Sequence, residues 1–184
     1  MNNNAWFKKE NPFQTVIGFG GGATGFGVHS SSASKTYIDD VFNTNLYEGN
    51  LSGQTITNGI DLATEGGLVW FKRRDGVHEH GLYDTARGVQ KALRANSTAV
   101  ADNSATLGLT AFNTTGYTIS RGGDVGDANK TYSAWTFRKA TDFFDVVTYT
   151  GTGSNRTIAH SLGSMPGMII IKNLDSAEDW RVYH

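Results

Sequence analysis

The chain contains no cysteine, only 2 prolines, and no excess of charge of either sign. Each shortage excludes something. Without cysteine there is no disulfide frame, no Cys-based metal site and no thiol nucleophile, and zinc fingers are ruled out. The 16 basic and 17 acidic residues are spread along the chain, so there is no basic stripe of the kind nucleic-acid binders carry, and neither DNA nor RNA is an expected partner. No apolar stretch reaches membrane-spanning length, and MNNNAWFKKENPF has polar residues where a signal peptide needs an apolar core. The expectation is a product made in the cytoplasm without a membrane partner.

What the chain does have is glycine, 23 residues of it, together with many Thr, Ser and Asn. That composition favours short strands joined by glycine and Asx turns, an all-β class. Six runs read as strands: Leu68 to Lys72, Leu109 to Phe112, Tyr117 to Ser120, Thr131 to Arg138, Phe143 to Thr150 and Met168 to Lys172. LVWFK and MIIIK are apolar on both alternating faces, which predicts central strands covered on both sides. Thr131 to Arg138 instead places Trp135 and Phe137 on one face and Tyr132, Thr136 and Arg138 on the other, a pattern that two packed sheets satisfy. Trp70 and Trp135 are assigned to the core. The one predicted helix is short, Ala86 to Ala95, interrupted by Gly88.

Residues 1–35 read differently. VIGFGGGATGFG contains Gly20-x-Gly22-x-x-Gly25, the spacing of a dinucleotide-binding loop, with Asp39 and Asp40 downstream where a ribose contact is expected. The motif needs a helix after its third glycine, whose free N–H groups hold the pyrophosphate. Here Phe26-Gly27-Val28-His29 leads into SSSAS, which is linker chemistry, so the nucleotide reading is set aside. Trp6, Phe7, Phe13, Phe19 and Phe26 are apolar anchors on a chain too rich in glycine to fold alone. Either they attach this arm to another protein, or the arm is a disordered tail.

The sequence also repeats itself. Tyr47-x-Gly49-x-x-Ser52-x-x-Thr55-Ile56 recurs as Tyr149-x-Gly151-x-x-Ser154-x-x-Thr157-Ile158. After a two-residue shift, Leu62, Gly67, Lys72, Asp75 and Tyr83 align with Leu162, Gly167, Lys172, Asp175 and Tyr183. The second copy has no counterpart of the segments from Leu109 to Phe137. This predicts an extended arm over 1–35, a β-sandwich over 36–142 and a partial second unit of strands over 143–184, with Tyr149 to Lys172 folded like Tyr47 to Lys72. The partial copy either belongs to a longer chain or completes the first sandwich.

DDVFNTNLYEGN, TITNGIDLATEGGLVWFKRRD, LYDTARG, LTAFNTTGYTIS, TYSAWTFRKATDFFDVVTYTG and TIAHSLGSMPGMIIIKN together resemble a family of structural proteins from marine phage virions, often described as tail-fibre-like. That family is similar to concanavalin A-like lectin and glucanase domains. The resemblance spans about Tyr37 to His184 and implies a two-sheet jelly roll. It also implies a virion location, attachment to a tail or adaptor protein through residues 1–34, host surface carbohydrate as a partner, and a homotrimer; the alternative is a decoration protein on capsid or tail without a host ligand.

A glycan-cleaving enzyme is the third and least expected reading. Glycosidases of the concanavalin fold carry an E-x-D-x-x-E strand that aims carboxylates into one cleft, and this chain has none. Glu178-Asp179 and Asp142/Asp145 are the nearest acidic groupings, and they lack the alternate spacing. No G-x-S-x-G elbow is present. His78 and His80 share a face if their segment is extended, but two histidines are not a metal site. Asp124, Asp127 and Asn129 offer oxygen ligands without a calcium-loop spacing. No catalytic residue, cofactor or metal is therefore assigned. Glycan binding needs only a shallow surface with polar partners, and the loops Arg73 to Tyr83 and Gly122 to Tyr132 are the candidates.

Overall fold

The computed structural model describes residues 36–104 and 106–184. The glycine-rich arm, its dinucleotide-like motif and the proposed anchors Trp6, Phe7, Phe13, Phe19 and Phe26 lie outside the described residues.

A single helical turn, α1 (Ile38–Val41), opens the described chain, and eleven strands follow: β1 (Phe42–Glu48), β2 (Gln54–Thr57), β3 (Gly67–Arg73), β4 (His80–Asp84), β5 (Lys91–Arg94), β6 (Asp102–Asn103), β7 (Leu109–Asn113), β8 (Gly116–Ile119), β9 (Thr131–Arg138), β10 (Ile169–Ile171) and β11 (Arg181–Tyr183). All pairings are antiparallel. One sheet has the order β1-β9-β3-β4-β5-β6, a second β2-β8-β7, and β10-β11 stand as a separate hairpin. The class is all-β, and the first two sheets face each other as a sandwich.

Alternation along the strands builds the core between them. Val69 and Phe71 from β3, Tyr83 from β4, Ala92 from β5 and Ala134 from β9 form one wall, while Leu109, Tyr117 and Ile119 form the other. The rings of Phe71 and Tyr117 meet edge to face at 5.3 Å across the gap. Burying a large apolar side chain in this way contributes about 1.5–3 kcal/mol. Three of the polar groups taken inside the sandwich find partners there. Tyr47 Oη donates to Val125 O at 2.7 Å, Tyr117 Oη pairs with Asn45 Oδ1 at 3.1 Å, and Asn58 Nδ2 donates to the buried Thr136 Oγ1 at 2.8 Å.

Opposite residues of an antiparallel pair share a face. The register Thr44↔Trp135↔Trp70↔Leu82 therefore puts both tryptophans on the outer face of the large sheet, away from the core. This corrects their assignment to the interior. The face polarity of Thr131–Arg138 is as read from the sequence, but the small residue Ala134 and the polar Thr136 face inward, while Trp135 and Phe137 face outward.

Ala86 to Ala95 is not a helix. Gly88 and Gln90 both have positive φ, 93° and 61°, and the chain turns there before entering β5. Asp84 and Arg87 fix that turn. Arg87 N–H donates to Asp84 Oδ1 at 2.9 Å, its Nε donates to Asp84 Oδ2 at 2.6 Å, and its remaining nitrogens donate to Lys91 O and Leu82 O. Both side chains of this ion pair are buried.

The repeat yields one shared element. β3 and β4 pair as Val69↔Tyr83, Trp70↔Leu82 and Phe71↔Gly81; β10 and β11 pair as Ile169↔Tyr183, Ile170↔Val182 and Ile171↔Arg181, the same register one hundred residues on. Even the lysine that closes each hairpin repeats, since Lys72 Nζ donates to Arg73 O and Lys172 Nζ to Asn173 O, each at 2.9 Å. Three expectations fail. Phe143 to Thr150 forms no strand, and Tyr149 to Met168 is not the strand-bearing equivalent of Tyr47 to Leu68. Nor is β10 a central strand: it pairs only with β11, and Met168, Ile169 and Ile170 are exposed. The physical reason is the range of the contacts. A hairpin brings its own partner, whereas β1 is held by β9 and β2 by β8, pairings that have no equivalent among the described residues of the second copy.

Candidate functional site: the polar end of the sandwich

Arg73 ends β3 and lies opposite Tyr132 at the start of β9. The chain leaving one strand and the chain entering the other must therefore run side by side, which brings together the two loops singled out in the sequence. Arg73 Nε donates to Asp75 Oδ1 at 2.7 Å, its Nη1 is 3.6 Å from Asp127 Oδ2, and Thr131 N–H donates to Asp75 Oδ2 at 3.4 Å. The Arg73 hydrogen bond holds the Asp75 carboxyl below the usual carboxylate range, despite a smaller opposing effect of desolvation.

Asp124 lies deeper. Its carboxylate is buried, 3.3 Å from Arg94 Nη2 and 3.6 Å from His78 Nδ1. Burial raises its pKa, and the charges of Arg94 and His78 pull it back only in part. Arg94 also pairs with Glu79 and, at 3.2 Å, with Asp102, so one guanidinium gathers three carboxylates, two from loops and one from β6. Gly81 leaves the space for this: a Cβ there would sit 3.2 Å from Asp124 Cβ and 3.3 Å from the Tyr83 ring.

Beside the cluster is an open depression of about 250 Å³ lined by Asn50, Leu51, Leu107, Arg121 and Asp127 with the backbone of Gly122 and Gly126. It offers an amide, a guanidinium and a carboxylate flanked by two exposed aliphatic side chains. A polyhydroxylated ligand asks for that mixture.

Residues 38–184 match the model of a protein family described as a domain of unknown function, DUF7483. The chain belongs to that family. No curated protein and no solved structure matches it. Among the described residues, no helix of this DUF7483 chain is long and apolar enough to cross a membrane.

The other candidates of the DUF7483 region separate. His78 and His80 do not converge: His78 faces Asp124, while His80 Nδ1 accepts the indole N–H of Trp70 at 2.9 Å. Burial, aided by Lys72, lowers the pKa of His80. Asp124 turns inward, Asp127 turns to Arg73, and Asn129 occupies a left-handed turn with φ of 58°. Among the described residues no group of three or more His, Asp or Glu side chains is placed to hold a metal ion. Asp142 accepts from Ser164 Oγ at 2.8 Å, and Asp145 is tied to Lys139 at 2.9 Å and to the N–H groups of Ser161 and Val146. Burial opposes ionisation of Asp145, but Lys139 and those N–H groups outweigh it and hold the pKa low. Glu178 and Asp179 lie in the exposed connection between β10 and β11.

Arg94, the hub of the end, carried no signal in the sequence. Its partners Glu79, Asp102 and Asp124 are each remote enough in the chain that only the fold assembles them.

Proposed function

We propose that this chain is a non-enzymatic structural subunit of a phage virion, a tail-fibre or tail-appendage protein, and that its sandwich has the concanavalin A-like jelly-roll form. Residues 1–34 attach it to a tail or adaptor protein, the assembly is a homotrimer, and the polar end of the sandwich faces host surface glycans. The observation that carries the binding role is the depression lined by Asn50, Arg121 and Asp127, set against a loop cluster already braced by Arg73 and Arg94. Braced loops lose little freedom when a ligand arrives, so modest contacts give net affinity. Binding is favoured over catalysis because Asp75, Asp124 and Asp127 all lie beside cationic side chains.

Immobilised cell-surface polysaccharides from candidate hosts test this. Arg121→Ala and Asn50→Ala are expected to lower retention of the full chain at least tenfold without shifting its melting temperature. Retention equal to that of the unaltered chain on every polysaccharide that binds would remove the glycan role. A second reading, a capsid or tail decoration protein without host ligand, draws on the exposed apolar hairpin β10–β11, a surface suited to assembly with protein.

A further inference from the structure

The polar end holds a cation that is not spent on the fold. Arg73 and Arg94 each close on carboxylates of neighbouring segments, whereas Arg121 is exposed and its side chain pairs with nothing among the described residues. The backbone on either side of it is nevertheless fixed. Ser120, the residue after β8, donates its N–H to Gly108 O at 2.9 Å and accepts the N–H of Gly108 on its hydroxyl at 2.8 Å. On the other side Gly122 N–H donates to Gly126 O at 2.9 Å, in a turn where Gly122 and Gly123 take φ of 72° and 65°, the left-handed region that glycine enters freely. A Cβ on Gly126 would collide with Ser120 O, so the turn closes against the residue that precedes Arg121. The main chain is committed here and the guanidinium is not.

The other polar side chains lining the depression are partly engaged already. Asn50 Oδ1 accepts from Ser52 N–H at 3.0 Å, which leaves its NH2 group as an open donor. Asp127 Oδ2 lies 3.6 Å from Arg73 Nη1, so a guanidinium already offsets its charge. Glu79 and Asp102, the surplus carboxylates around Arg94, do not line the depression. What is left to meet a ligand is rich in donors: the Asn50 amide and the Arg121 fork, beside Leu51 and Leu107, whose aliphatic side chains are 76% and 40% exposed. A neutral sugar brings hydroxyls, each donor and acceptor at once, and leaves the charge of Arg121 unmatched. A carboxylate brings acceptors alone, in the planar spacing that a guanidinium meets with two parallel bonds.

We infer that the glycan taken at this depression is acidic, a polymer of carboxylate-bearing sugars of the uronic acid class, and that Arg121 receives the carboxylate. This rests on the glycan-binding reading of the same depression and adds the class of sugar. Asn50 Nδ2 donates to an oxygen of the same sugar, and Leu51 and Leu107 lie against its C–H groups. At about 250 Å³ the depression falls short of the ~300–1,000 Å³ of pockets that enclose a whole small molecule, so it takes one sugar unit while the polymer runs on over the surface. An exposed ion pair is screened by salt, so each unit binds weakly and the repeat of the polymer raises retention.

The test measures retention of the full chain on immobilised polygalacturonate, alginate and hyaluronate, each beside its carboxyl-reduced, neutral twin, with dextran sulfate as a second polyanion, at about 0.15 M salt so that long-range attraction is screened. At least one uronate polymer should retain the chain tenfold or more above its reduced twin and above dextran sulfate. Arg121→Ala should abolish that preference with the melting temperature unchanged, and Arg121→Lys should not restore it, because a point charge lacks the fork. Arg181→Ala, which removes the same charge from β11 outside the depression, should leave retention within about twofold. Equal retention on the reduced twins overturns the acidic class and leaves the glycan reading standing. Equal retention on dextran sulfate, full recovery by Arg121→Lys, or an equal loss in Arg181→Ala shows unspecific charge attraction and overturns it as well. Retention on none of the acidic polymers also overturns it, and the glycan reading falls with it only if the neutral twins and the host polysaccharides fail too.

Discussion

Trp70 stands opposite Trp135 across β3 and β9, on the outer face of the large sheet, with ring centroids 5.9 Å apart and planes tilted by 69°. The two edges of that contact are different in kind. Trp135 meets the Trp70 ring, whereas Trp70 also donates its indole N–H to His80.

Edge-to-face pairs of this geometry add about 0.5–1.5 kcal/mol beyond the area they bury. A double-mutant cycle with Trp70→Leu and Trp135→Leu should give a coupling energy in that range by chemical denaturation. Because both rings are half-buried, each single change should cost less than the ~3–5 kcal/mol of an aromatic deleted from a packed interior. A coupling near zero would show that the rings are neighbours without being partners.

His80 makes the same face sensitive to acid. Its pKa is lowered from the ordinary 6.5 by burial and by Lys72, so the folded state binds the proton less readily than the unfolded chain. The stability held by neutral His80 is complete above pH 6.5 and is lost as pH falls through the lowered folded value. Protonation also removes the acceptor of the Trp70 N–H. An imidazole NMR titration should place the His80 midpoint below 6.5, and Trp70→Phe should weaken the acid sensitivity of the melting temperature. A midpoint at or above 6.5 would contradict this account.

The buried Asp84–Arg87 pair should be the costliest polar contact to break. Arg87→Ala strands a buried carboxylate and frees the carbonyls of Leu82 and Lys91, so a loss of about 3–5 kcal/mol is expected. Arg87→Lys should recover little, since a point charge cannot make the three-way fork. Urea midpoints for the two variants decide it.

That turn also shows where reading the sequence succeeds and where it fails. LVWFK, TYSAWTFR and the NTTG hairpin announce themselves through β-branched and aromatic alternation, and the strands lie where that pattern puts them. Ala86 to Ala95 is rich in helix formers, yet Asp84 and Arg87 close a turn through side-chain bonds that composition does not reveal. FFDVVTYT has the residues of a strand and no neighbour to pair with, so propensity alone leaves it as coil. The tryptophans were misplaced for a related reason: alternation tells which residues share a face, not which face is covered. Of the polar end, the two loops were legible because turn-rich segments with Asp and His stand out, but the hub Arg94 was not, because its meaning lies in three partners from elsewhere.

The position of β9 also sets an order of events. It is the strand that joins β1 to β3, yet it comes last among the strands of the large sheet, so a chain emerging from the ribosome presents β1, β3 and β4 before the piece between them exists. The β3–β4 hairpin can form early, as its replica β10–β11 does with no β9 beside it. Phe42–Glu48 must wait for residues some ninety positions later, a long loop to close before any contact rewards it. Closure of the sheet therefore waits on its last-made strand, and the nascent chain carries an open edge until then.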